Sequence, residues 1–573
     1  MKKLFVHMKG FRKECIISPL FKMLEACFEL FVPLVVANII DIGIKNQDKP
    51  YIVKMCLIMV LLGVIGLSCT LVAQYFAAKA AVGFTGKLRS ALFKHISSLS
   101  YTEADTLGTS TLITRMTSDM NQVQSGVNLT LRLFMRSPFI VFGAMIMAFY
   151  VGRDSAWPFA VSIPVLAIVV FGIMCGTIPL YKKVQSRLDS VLGTARENLT
   201  GARVIRAFGK ENEEKEKFHN HTDLLAKSQA FVGKISAIMN PATYAIVNLA
   251  ICALIWSGAI KVNNGNLSQG EVIALYNYMS QILVELIKLA NLIITITKAV
   301  ACGNRIEAVF EVKSSQKIIT DEGLGNSELS VEFRGAHLRY SGASEDSLEN
   351  VTFCVKKGET IGIIGGTGSG KSSLVNMIGR FYDASQGYVF VDGKDVRSYE
   401  HSALREKMGI VPQKAVLFKG TIRDNMKWGN ENATDEEILN AIELAQAGDV
   451  LRSKDKGLDS LVEQGGKNLS GGQRQRFTIA RALVRKPEIL ILDDSSSALD
   501  YQTDARLRRA IASIDYNPTV FIVSQRTASI QHADKIIVLD DGMVVGIGTH
   551  NELLDSCVVY NEIYSSQFKK EGK

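Results

Sequence analysis

Two hydrophobic rhythms divide the chain near residue 300. Before it, long apolar runs alternate with polar connections; after it, short apolar strands alternate with turns and amphipathic helices, the rhythm of an α/β domain. A helix needs about 20 apolar residues to cross a hydrocarbon core, because each backbone polar group must be satisfied within the segment. By that measure about six spans are predicted, near 15–40, 52–80, 121–150, 157–180, 232–262 and 270–300. The clearest are MCLIMVLLGVIGLSCTLVA (55–73) and PFAVSIPVLAIVVFGIMCGTIPLY (158–181). The connections between spans two and three, and between four and five, are long, helical in character and rich in Lys and Arg. Others, such as GRDS (152–155) and NNGNLS (263–268), are short. The positive-inside rule then places the amino terminus, both long connections and the second half in the cytoplasm.

Several ionisable residues fall within these spans: Glu25 and Glu29 in the first, Arg132 and Arg136 in the third, Glu285 and Lys288 in the sixth. Two readings fit them. Such groups mark a wet cavity or a partner charge; alternatively the arginines lie below the membrane and Glu285 pairs with Lys288 one turn away.

Composition narrows the function classes. At 573 residues, +9 net charge and 47 % hydrophobic content, the chain is too greasy to be uniformly soluble and too charged to be uniformly membrane. The basic surplus flanks apolar stretches, which argues against nucleic acid as partner and for a lipid bilayer. The nine cysteines are scattered without a CxxC pair, so neither a disulfide framework nor a zinc site is implied. The start has basic residues but no compact apolar core with a cleavage site, so a removable signal peptide is not expected.

The chemistry lies in the second half. ETIGIIGGTGSGKSSL is a buried strand followed by Gly365, Gly366, Thr367, Gly368, Ser369, Gly370, Lys371 and Ser372, then Ser373 and a helix. This is G-x-x-x-x-G-K-S in the strand, loop and helix context it requires. The glycines let the backbone curl so that its N–H groups surround a β-phosphate at a helix N-terminus; Lys371 adds a cation, and the Ser372 hydroxyl can ligate Mg²⁺. ILILDDSSSALD (489–500) is a second strand, apolar throughout as strands covered on both faces are. Its first acid, Asp493, leaves the strand end where a carboxylate can hold Mg²⁺ through water.

Between these strands stands NLSGGQRQRFTIARAL (468–483), in which Leu469, Ser470, Gly471, Gly472 and Gln473 resemble the signature of the ATP-binding cassette (ABC) family. With six spans and two long cytoplasmic extensions, the whole chain resembles a half-size exporter of that family. The resemblance implies a six-helix, all-α transmembrane domain with long cytoplasmic helical extensions (1–302), a linker (303–329) and an α/β P-loop nucleotide-binding domain (330–573). It implies ATP and Mg²⁺ as cofactors. Tyr340 takes the place of the aromatic that stacks on adenine, Gln413 that of the glutamine near Mg²⁺, and Asp500 that of the acid linking two sites. ATP in such cassettes is sandwiched between one chain's phosphate loop and the other chain's signature, so a second half-transporter is implied as partner. An importer with an external binding protein fits less well, and the spans exclude the soluble ATPases of translation and repair.

Two positions depart from the family pattern. The residue after the magnesium acid, normally Glu, is Asp494, and the family's switch histidine, which contacts the γ-phosphate, is replaced by Gln525. Asp is one methylene shorter; glutamine can donate a hydrogen bond but cannot become an imidazolium. Together they leave the binding residues intact and alter those nearest the cleavage step. The expectation is a heterodimeric exporter of amphiphilic small molecules, lipids or peptides, in which this chain's own site hydrolyses poorly and the partner carries the Glu and His. A nucleotide-gated channel or regulatory subunit, and a slow homodimer, remain as alternatives.

Overall fold

The computed structural model describes residues 2–320, 323 and 325–567. The chain divides into two compact units. One comprises the residues up to Ser97 together with Ser110–Val312, the other Ser98–Thr109 and the chain from Lys313 onward.

The first unit is helical. Among the described residues, six helices have the length and apolarity to cross a membrane: Lys3–Ile44, Lys49–Ser97, Thr109–Val151, Trp157–Thr200, Glu211–Asn263 and Gln269–Glu311. They run 42 to 53 residues, which at about 1.5 Å per residue is roughly twice a hydrocarbon core or more. The excess is the cytoplasmic extension expected from the polar connections. The last helix continues to Glu311, beyond the 303 boundary drawn from polarity, because Cys302, Ile306 and Val309 recur at helical spacing and are buried. Its start is fixed locally: Ser268 and Glu271 form a capping box, and Asp41 at the end of the first helix accepts from the Gly270 N–H at 2.9 Å.

The charges within the spans meet one another. Arg136 opens a new helix after a break at Phe134–Met135 and is 7 % exposed. Its guanidinium reaches Glu285 at 2.5 Å and Glu29 at 2.6 Å, while Ser137 Oγ donates to the other Glu285 oxygen at 2.8 Å. Lys288 also pairs with Glu285, at 2.8 Å, and Lys22 with Glu25, at 2.5 Å. Both sequence readings are thus partly met: Glu285 and Lys288 do pair along one helix, and Arg136 finds partner charges on two others.

In the second unit, Ser100 and Glu103 cap a short helix, Tyr101–Leu107, and Glu103 also accepts from the Ser315 N–H at 3.1 Å. The Tyr101 ring lies 4.9 Å from that of Phe381, and Tyr382 Oη donates to Asp105 at 2.7 Å. The strands are β1 (Leu329–Leu338), β2 (Leu348–Lys356), β3 (Thr360–Gly365), β4 (Gln386–Val391), β5 (Lys394–Asp395), β6 (Met408–Val411), β7 (Gly420–Thr421), β8 (Leu461–Val462), β9 (Ile489–Asp493), β10 (Thr519–Val523), β11 (Lys535–Asp540) and β12 (Met543–Gly548). An antiparallel sheet has the order β2-β1-β4-β5, a six-stranded sheet the order β12-β11-β3-β10-β9-β6, and β7 pairs with β8. In the larger sheet β11, β3, β10, β9 and β6 are parallel.

The run ILILD shows why β9 reads as uninterrupted apolar sequence. Leu490 and Leu492 join one hydrophobic core, with Phe477, Ile479 and Leu483 of the helix Gly471–Val484. Ile489 and Ile491 join another, with Phe333 and Val355 of the antiparallel sheet. Side chains alternate across a strand, so two covered faces require an apolar residue at every position.

Candidate nucleotide site

Four neighbouring parallel strands end at one edge of the sheet, and each delivers a predicted site residue. The phosphate loop follows β3, Gln413 follows β6, Asp493 closes β9 with Asp494 after it, and Gln525 lies two residues past β10. The carboxyl edge of a parallel sheet is where α/β folds bind ligands, because the chain turns there from strand to helix and exposes N–H groups.

The loop conformation depends on glycine at two positions. Gly368 and Gly370 adopt φ of +88° and +93°, a region that L side chains avoid. A Cβ on Gly370 would also lie 2.7 Å from Leu348 Cδ2 and 2.8 Å from the Ser347 carbonyl. Gly370→Ala is therefore expected to lower stability by about 1–3 kcal/mol from strain alone and to weaken nucleotide binding, read as a lower unfolding midpoint and a right-shifted ATP titration. Beside Gly366 and Gly368, by contrast, there is open space where a Cβ would stand, so the backbone can approach a phosphate closely. Lys371, first in the helix Lys371–Ile378, folds over the loop, its Nζ donating to the Gly365 carbonyl at 2.9 Å. Burial pushes its pKa down, with Asp494 and Asp493 acting in the opposite direction.

Ser372 Oγ donates to Asp493 Oδ1 at 3.0 Å, joining the hydroxyl and carboxylate expected to hold Mg²⁺. Burial raises the Asp493 pKa, opposed by that hydrogen bond and reinforced by the charge of Asp494. A cation between these oxygens would offset the burial, and a hydroxyl plus one carboxylate suits an ion that takes its other ligands from phosphate and water. The residues therefore fit Mg²⁺ and a nucleoside triphosphate.

Asp494 is held by its backbone. It adopts φ of +44°, and its N–H donates to the Val523 carbonyl of β10 at 3.0 Å. Gln413 Nε2 donates to its Oδ2 at 3.3 Å. Burial raises its pKa, with Gln413, Lys371 and Arg526 lowering it. Gln525 has an exposed side chain on a loop tied down on both sides. The Ser524 N–H donates to the Ile363 carbonyl at 3.0 Å, and Arg526 reaches the Ser497 and Leu499 carbonyls, each at 3.5 Å.

The remaining predicted residues lie nearby or apart. Tyr340 Oη is 2.8 Å from Ser373 Oγ on the phosphate-loop helix, and its ring sits edge-on to Tyr382 at 4.9 Å. Ser470 and Gln473 form a capping box at the start of the helix Gly471–Val484, above buried Leu469. Gly471 and Gly472 are the first two residues of that helix, so their N–H groups stand at its positive end. Among the described residues, no hydrogen bond or ion pair joins this signature segment to the phosphate loop. Asp500 caps the helix Tyr501–Ala512, and the Thr503 backbone N–H it accepts holds its pKa below the usual range. Sequence reasoning passes over Arg526 and Gln567, whose bonds run to backbone groups and, for Gln567, also to the Thr527 hydroxyl, and leave no spacing pattern.

Comparison with known proteins agrees with this architecture. The family model for the ABC transporter transmembrane region matches residues 15–286, and that for the ABC transporter domain matches 348–497. The ABC transporter ATP-binding protein YfiB of Bacillus subtilis is 35 % identical over 574 residues, covering 100 % of this chain and 99 % of its own length. The ATP-dependent lipid A-core flippase of Shigella flexneri is 28 % identical, with 99 % of this chain and 97 % of the flippase covered. A solved bacterial Atm1-family ABC exporter with ATP bound shares the fold at a TM-score of 0.80 and 22 % identity, covering 98 % of this chain and 99 % of that one. The chain belongs to the ABC transporter family, as a half-size, exporter-type, multi-pass inner-membrane protein with a cytoplasmic nucleotide-binding domain.

Proposed function

We propose that this chain is one half of a heterodimeric exporter for amphiphilic small molecules, lipids or peptides, holding ATP at a site of its own that hydrolyses weakly. Its LSGGQ segment completes a competent site on a different partner chain. The likeness to a protein named as a lipid A-core flippase supports an amphiphilic cargo.

The observation that carries the reading is the pinned backbone of Asp494. Because φ and the bond to Val523 fix its Cα, the strand cannot advance to compensate for a short side chain. The carboxylate stands about one C–C bond, ~1.5 Å, behind that of a glutamate, and a displacement of that size can lower a rate by about a hundredfold. Gln525 adds a neutral donor where the family has an imidazole. The binding residues keep their family identity. With nucleotide bound, Lys371 and the loop N–H groups would grip the β-phosphate, Ser372 and Asp493 would hold Mg²⁺, and Tyr340 would pack on the base. Gln413 and Asp494 would orient the attacking water, and Asp500 would link this site to the second one. When bound, ATP supplies the free energy of its terminal phosphoanhydride and Mg²⁺ neutralises phosphate charge.

The test uses mixed complexes of this chain with its partner. Changing the partner's catalytic glutamate to Gln should lower turnover by about a hundredfold or more, whereas Asp494→Asn should leave it within roughly threefold. Equal losses would overturn the asymmetric reading and place hydrolysis in both pockets. Uphill transport into vesicles, stimulated by the same amphiphiles that stimulate the ATPase, separates a pump from a gated channel.

A further inference from the structure

The last described helix, Val558–Gln567, ends on the switch loop. Tyr560 anchors it: its ring is fully buried in the core beneath the sheet, and its hydroxyl lies 2.7 Å from His550 Nδ1. At the far end the Gln567 carboxamide faces backbone. Its Oε1 accepts from the Thr527 N–H at 2.9 Å and from the Thr527 hydroxyl at 3.0 Å, and its Nε2 donates to the Gln525 carbonyl at 2.6 Å. A carboxamide has the donor and acceptor pattern of a peptide group, so Gln567 pairs with this loop as a neighbouring strand would. Thr527 is fully buried, and Ser524 Oγ accepts from the Arg526 N–H at 2.9 Å. The backbone on both sides of Gln525 is therefore fixed, while its side chain projects from an exposed position.

We propose that Gln567 is a positioning residue for Gln525: by holding the Gln525 carbonyl it aims that side chain at the terminal phosphate and sets this pocket's preference for ATP over ADP. The proposal rests on the reading of Gln525 as the group that meets the γ-phosphate. ADP lacks that phosphate, so loosening the loop weakens ATP selectively, whereas general damage to the cassette weakens both nucleotides.

The experiment is displacement of a fluorescent nucleotide from the full chain in detergent with Mg²⁺, by ATP and by ADP. Gln567→Ala is expected to weaken ATP by about tenfold, the loss of one hydrogen bond to a charged group, with ADP within about twofold. Gln567→Glu keeps both bonds accepted from Thr527 but loses the donor to Gln525, and should match the alanine variant; it carries the comparison if Gln567→Ala does not fold. Adding Gln525→Ala to either should produce no further loss. If Gln525→Ala lowers the ATP-to-ADP ratio and the Gln567 variants leave it unchanged, the clamp is overturned alone. If Gln525→Ala itself leaves the ratio unchanged, the γ-phosphate reading falls and the clamp with it.

Discussion

Arg136→Ala is expected to destabilise the membrane unit by about 3–5 kcal/mol, the usual penalty for removing one partner of a buried ion pair. The reason is what the change leaves behind. Glu285 is 3 % exposed and would keep only Ser137 and Lys288 as partners; Glu29, at 40 % exposure, would lose its cation but could still reach water. The cluster is balanced as it stands, with Lys22, Arg136 and Lys288 opposite Glu25, Glu29 and Glu285. Taking out the central cation leaves an uncompensated carboxylate where desolvation is most severe. The double variant Arg136→Met with Glu285→Leu removes both buried charges and should recover most of the loss, because buried pairs contribute little beyond an apolar replacement. Unfolding midpoints in detergent check this: a double variant as unstable as the single one would mean that packing around Arg136, not its charge, holds these helices.

How far such features can be read from sequence depends on whether their partners are local. The phosphate loop between its strand and helix, the capping box of Ser470 and Gln473 and the cap by Asp500 are each set by residues within a few positions. The burial of β9 on both faces was legible because its alternation is absent, not merely weak. Arg136 is different. Its partners Glu29 and Glu285 lie 107 and 149 residues away, so sequence could show that each charge needed compensation but not which one supplied it. The sixth long helix runs into the polar stretch after residue 302 for a related reason. GNRIEAVFE looks polar when read residue by residue, and only its buried stripe keeps it helical to Glu311. Gln567 was beyond reach altogether: it binds the Gln525 carbonyl and the Thr527 N–H, 42 and 40 residues away, groups that any residue type at those positions would offer, and among its partners the Thr527 hydroxyl alone depends on residue type.

Lys371→Ala should lower affinity for ATP and ADP alike, by about a hundredfold, while leaving the unliganded protein no less stable. Charge sets the affinity: an ammonium on a phosphate makes hydrogen bonds of the charge-assisted class, worth about 1.5–3 kcal/mol each, and the β-phosphate that the loop is expected to surround is present in both nucleotides. Stability without ligand turns instead on the direction of the Lys371 pKa. Burial pushes it below the usual lysine value, so the folded state disfavours the ammonium relative to the unfolded chain, a penalty that is present in full below the folded pKa. Alanine removes the penalty together with the bonds to the Gly365 and Gly366 carbonyls. Without nucleotide the unfolding midpoint should therefore stay near the wild-type value, and the rise that saturating ATP or ADP produces should disappear, because only ligand bound to the native state shifts that equilibrium. Lys371→Arg should not restore binding: the guanidinium is a planar fork, while the loop closes over a compact cation reaching back to consecutive carbonyls. Selective loss of ATP alone in Lys371→Ala would mean that the lysine serves the terminal phosphate and not the one held in common, and the division of labour between Lys371 and Gln525 would have to be redrawn.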